Sequence, residues 1–81
     1  MAVKKYIIEY EVTDYHRPSG AERVTRRAVV ELSDKTMDAW RKGWATGHYH
    51  VMNAAQTYED MTAKGRVEKI LSVTEAPMVT A

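Results

Sequence analysis

His48 and His50 flank Tyr49 at a spacing of two residues. On a strand, two imidazoles so placed share a face and could chelate a metal. On a helix they point about 200° apart and cannot. Their neighbours carry a helical period, which makes His48 a border residue of an apolar stripe and His50 a solvent-facing one. No His-Glu-x-x-His run or comparable ligand cluster accompanies them, so no metal is expected. Ser19, Ser33 and Ser72 fall in a turn, at a helix cap and in a strand, none beside a histidine able to act as base. The carboxylates are scattered over exposed faces rather than paired as acid and base. No glycine-rich phosphate loop follows a strand, and cysteine is absent, which removes thiolate catalysis, disulfides and Cys-ligated zinc together. These residues predict a chain that is not an enzyme and holds no cofactor.

The cations and aromatics suggest binding instead. Arg17, Arg23, Arg26 and Arg27, with Lys4 and Lys5 nearby, form the one basic concentration that could meet phosphates. Twelve Lys and Arg against eleven Asp and Glu leave a net charge of +1, and the pI of 8.0 falls short of a typical nucleic-acid binder. Glu9, Glu11, Glu22 and Glu31 dilute the cluster further, so nucleic acid stands as the weaker alternative. Trp40-Arg41-Lys42-Gly43-Trp44 has the composition of a cationic, aromatic patch. Its tryptophans, however, share a helical stripe with Met37, Val51 and Tyr58, which assigns both to the core.

Three periodic segments position these side chains. In Val3–Val12 the even residues Tyr6, Ile8, Tyr10 and Val12 are apolar and the odd ones include Lys5, Glu9 and Glu11, the alternation of a half-buried strand. Arg23–Leu32 repeats it with Val24, Ala28, Val30 and Leu32. Arg17-Pro18-Ser19-Gly20 between them has the residues of a turn. Pairing residues whose numbers sum to 36, the turn centred on Pro18, sets Val12 against Val24, Ile8 against Ala28 and Tyr6 against Val30 on one face. On the other face Lys5 meets Glu31, Glu9 meets Arg27 and Ile7 meets Val29. Arg26 is the exception in its strand, a charge turned inward opposite Tyr10, where a cation–π contact is expected.

Ser33 then caps a helix, with Leu32 and Met37 as a hydrophobic staple. Its phase runs to Lys64-Gly65, with Gly65 at the C′ position. The phase survives Gly43 and Gly47, which predicts one unbroken helix, about 45 Å long, with Gly47 approaching the sheet. Arg66–Glu75 alternates again, with Val67, Leu71 and Val73 on the inner face and Ile70 on the outer one. Lys69 interrupts the inner face, as in an edge strand that guards itself against unwanted pairing. Pro77 and Met78–Ala81 are expected to fray.

The expected fold is α+β, with element order β-β-α-β. Its three-stranded sheet, antiparallel or mixed, has order 2-1-3, and one long helix covers one face. All 81 residues form a single domain. No apolar run exceeds three residues, so neither a membrane span nor a secretory signal is expected and the default address is cytoplasmic. On the uncovered sheet face Ile7, Val29 and Ile70 make an apolar island ringed by charge, and Tyr15, His16 and Arg17 project at the hairpin tip. A small stoichiometric protein binder fits these features. Inhibitors and adaptors of the phage or mobile-element kind offer an analogy from size alone. Weak nucleic-acid binding through Arg17, Arg23, Arg26 and Arg27 is one alternative, and a homodimeric structural subunit is the other.

Overall fold

A computed structural model describes residues 2–16, 20 and 22–77. Its elements are β1 (Val3–Asp14), β2 (Glu22–Ser33), α1 (Asp34–Arg41), α2 (Ala45–Thr62) and β3 (Arg66–Glu75). The three strands form one sheet in the order β2-β1-β3, with both pairings antiparallel. The chain is an α+β fold.

Alternation sets the hairpin. Every pair from Val3↔Ser33 to Asp14↔Glu22 obeys the register that cross-strand matching predicts. Tyr6, Ile8, Tyr10 and Val12 are buried on the inner face, with Ala28 and Leu32 from β2. Glu9 and Arg27 close an ion pair at 3.1 Å, whereas Lys5 and Glu31 face each other without one. The turn centred on Pro18 lies outside the described residues, as does the tail beyond Pro77.

The helical segment is broken, contrary to the unbroken helix its phase suggests. Ser33 caps α1 as anticipated, its Oγ accepting from the Thr36 N–H at 3.1 Å, and Leu32 and Met37 are both buried. α1 ends after eight residues at Arg41, with Lys42 as its C-cap. Gly43 follows with φ +74°, and its N–H donates to the Trp40 carbonyl while the Trp44 N–H donates to the Ala39 carbonyl, each at 3.0 Å. This is a Schellman motif, in which a left-handed glycine satisfies the last carbonyls and turns the chain. Gly47 acts differently, pressing on α1 rather than on the sheet. A Cβ there would lie 2.3 Å from the Trp40 nitrogen and 2.5 Å from the Ala39 carbonyl carbon, so only glycine lets the helices cross this closely.

At the far end of α2 the positive φ belongs to Lys64 (56°), not Gly65. Gly65 is buried, and a Cβ on it would meet Val12 Cγ2 at 2.6 Å and Glu59 Oε1 at 2.7 Å. Gln56 fastens this junction, accepting from the Val67 N–H at 2.9 Å and donating to the Gly65 carbonyl at 3.0 Å.

β3 departs from simple alternation. Register shifts between Glu9 and Tyr10 and between Glu11 and Val12 insert extra residues on β3. Each bulge resets which side chain faces the core. Val67, Ile70 and Val73 therefore line the interior, opposite Val12, Tyr10 and Ile8, and Leu71 is left 41% exposed. This reverses the faces that strict alternation gives Ile70 and Leu71. Lys69 sits opposite Glu11 and does not interrupt the inner face.

Candidate interaction surface

The uncovered face of the sheet is built from the odd residues of β1 and β2. At its centre Ile7 and Val29 are direct cross-strand partners, Ile7 half-buried and Val29 54% exposed. Thr74 completes that row on β3. Val3 and Leu71 are further exposed apolar side chains on these strands. Ile70, expected beside them, is 8% exposed and belongs to the core, because the bulges turn it inward. The apolar island is thus Ile7 and Val29 without Ile70.

Paired charges surround the island. Arg27 Nε donates to Glu9 Oε2 at 3.1 Å. Arg23 lies 3.6 Å from Glu11 and 3.9 Å from Glu68, and Arg66 lies 3.5 Å from Glu68. These exposed ion pairs contribute little to stability, but they leave the face without an uncompensated field.

Arg26 is separate from the other arginines. Its Nε donates to Glu59 Oε1 at 3.0 Å and its Nη2 lies 3.4 Å from Asp14 Oδ2, an ion pair without hydrogen-bond geometry. Glu59, fully buried, also accepts from the Tyr10 hydroxyl at 2.6 Å and from the Gly65 N–H at 3.3 Å. Arg26 therefore meets a carboxylate where a cation–π contact with Tyr10 was expected. Burial, then the hydrogen bond to Glu59, push the Tyr10 phenol well above its ordinary value. Glu59 is the important residue missed in the sequence. A carboxylate four residues beyond Ala55 and eight beyond Val51 falls on the buried side of α2, and inward-pointing Arg26 is the cation that balances it.

At the hairpin tip Tyr15 is 55% exposed and the His16 N–H donates to Asp14 Oδ1 at 2.9 Å. Arg17 lies outside the described residues. Trp44, assigned to the core by its phase, is instead 54% exposed at the start of α2, because the turn at Gly43 takes it out of register. Lys42 Nζ stands 4.9 Å from its ring centroid. Trp40 does pack on the core, and the His48 ring stacks on it at 5.7 Å. His50 makes an edge contact with Tyr49, so the two histidines serve different neighbours.

Among the described residues no group of three or more His, Cys, Asp or Glu side chains is placed to hold a metal ion, and no helix is long and apolar enough to cross a membrane. Comparisons with protein families, curated proteins and solved structures return no match.

Proposed function

We propose that this chain is a non-catalytic protein-binding module of the cytoplasm that acts stoichiometrically on a larger protein through the uncovered face of its sheet. The supporting observation is the Ile7–Val29 pair, an apolar contact at the centre of that face with Val29 54% exposed. Covering it with a partner's apolar surface would contribute about 25 cal/mol for each Å² removed from water. The surrounding Arg27–Glu9 and Arg23–Glu11 pairs form the polar rim that such an interface carries. Tyr15 and His16 at the hairpin end extend the surface. An inhibitor or adaptor of the small, mobile-element kind is the class that this size suggests.

The nucleic-acid alternative loses Arg26, which is committed to Glu59 and Asp14, and finds Arg23 and Arg27 already engaged by glutamates. The test is capture from a lysate of the source cell on immobilised wild-type and Ile7→Glu protein, with and without nuclease. A defined protein retained after nuclease by wild type and lost on Ile7→Glu is the expected result. Loss of every partner on nuclease treatment would refute the proposal.

A further inference from the structure

The two edges of the sheet differ. β3 is interrupted by two register shifts, irregularities that twist an edge away from further pairing. β2 is the opposite edge, and its twelve residues pair with β1 without a single shift. About half of them turn their N–H and C=O groups away from β1, a template for another strand. Edge strands are ordinarily protected by charge, and β2 has three arginines. Arg23 and Arg27 are nevertheless drawn toward the glutamates of β1, and Arg26 is drawn inward to Glu59.

We propose that β2 pairs antiparallel with β2 of a second copy of this chain, about a two-fold axis at Val29 normal to the sheet. This axis sets Val29 against Val29 and Glu31 against Arg27 on both sides of it, where the exposed Arg27 guanidinium, bound to Glu9 through Nε, has its remaining N–H groups to bridge to Glu31 of the second copy. Glu31 is exposed and makes no ion pair among the described residues, so its carboxylate is available to the second copy. On the helix side, Val30 then lies against Ala28. Neighbouring registers that keep the faces in phase are worse: an axis at Arg27 opposes two arginines, one at Ala28 sets Arg27 against Val29, and one at Val30 sets Val29 against Glu31.

A second feature lies beside the same edge. An apolar groove of about 280 Å³ runs between β2 and α2, lined by Val30, Ala54, Thr57, Tyr58 and Met61. Met61 is 80% exposed. An axis normal to the sheet keeps α2 of both copies on the same side, so that groove meets groove and each Met61 gains apolar cover. The assembly is one continuous sheet with three strands from each copy. It also joins the two Ile7–Val29 pairs into a single row, although the pairing does not depend on that face having a partner.

The chain has no cysteine, which makes a single introduced thiol diagnostic. Opposed antiparallel residues have Cα atoms about 4.5–5.5 Å apart, within disulfide reach. Val29→Cys should therefore form a covalent dimer on mild oxidation. Ile7→Cys should not, because three strand spacings would hold its two copies about 14 Å apart. Sedimentation of wild type should show twice 9.2 kDa. Glu31→Arg and Arg27→Glu, each checked for folding by circular dichroism, should each be monomeric alone and form a heterodimer when mixed, since mixing restores both opposite-charge contacts. A monomeric wild type at 100 μM or more overturns the proposal. So does a dimer that Ile7→Cys cross-links as readily as Val29→Cys, which would place the contact on the open face.

Discussion

Replacing Gly47 by alanine separates helix propensity from packing, because the two predict opposite signs. In an exposed helix interior, Gly→Ala gains about 1 kcal/mol. At Gly47 the new Cβ would stand 2.3 Å from the Trp40 nitrogen, 2.5 Å from the Ala39 carbonyl carbon and 2.8 Å from the Trp40 Cα. These are backbone atoms and cannot rotate away. α1 would have to retreat by about 1 Å to restore ordinary contact distances, loosening Met37 and Ala39 from the core. Overpacking of this kind costs typically about 1–3 kcal/mol, enough to outweigh the propensity gain. The net expectation is a destabilisation of up to about 2 kcal/mol, read as a lower urea midpoint at unchanged slope. Asn53→Ala, an exposed position of the same helix, should instead stabilise by about 0.5 kcal/mol. If Gly47→Ala raised the midpoint as Asn53→Ala does, the close crossing of α1 and α2 would be refuted.

Gly43→Ala meets no atom within 4 Å yet forces alanine to φ +74°, so it should cost about 1 kcal/mol by urea titration; no loss would contradict the Schellman turn. Glu59→Ala leaves Arg26 with Asp14 alone and the Tyr10 hydroxyl without its acceptor, and should lower stability by about 3 kcal/mol. Tyr10 is held protonated in the fold with its pKa above the unfolded value near 10, so its contribution is intact below about pH 10 and is lost as pH rises toward the folded value. Unfolding midpoints should therefore fall above about pH 10, and Tyr10→Phe should flatten that fall; an unchanged alkaline slope would count against the buried hydrogen bond. Ile7→Glu should change stability by less than about 1 kcal/mol, whereas Ile8→Glu, which buries a charge without a partner, should prevent folding.

What the sequence made legible was whatever rests on strict alternation. Two matched faces and a turn residue fixed the β1–β2 register at every position, because a slip of one residue would have buried Glu9 and Lys5. The β3 faces were not legible, since bulges change the spacing of inward residues to Val67, Ile70, Val73 and leave no mark in an apolar pattern. The helix break was partly legible. Gly43 followed by the large apolar Trp44 is a C′–C″ signature, but in the sequence Trp40, Trp44, Gly47 and Val51 keep the spacing of one continuous helix, which hides the break. Trp44 was misplaced for the same reason. Glu59 was obscured by its charge: a glutamate on an apolar stripe reads as solvated until its partners, Tyr10 and Arg26 from other elements, are known.

The claim that this chain binds protein through its open sheet face is tested most directly by parallel capture on three matched baits: wild type, Ile7→Glu and the double variant Arg23→Glu/Arg27→Glu, each at low and at high salt. The predicted result is one protein held by wild type and by the arginine variant at either salt concentration, and lost on Ile7→Glu. Equal retention by all three baits, or loss confined to the arginine variant and to high salt, would contradict it.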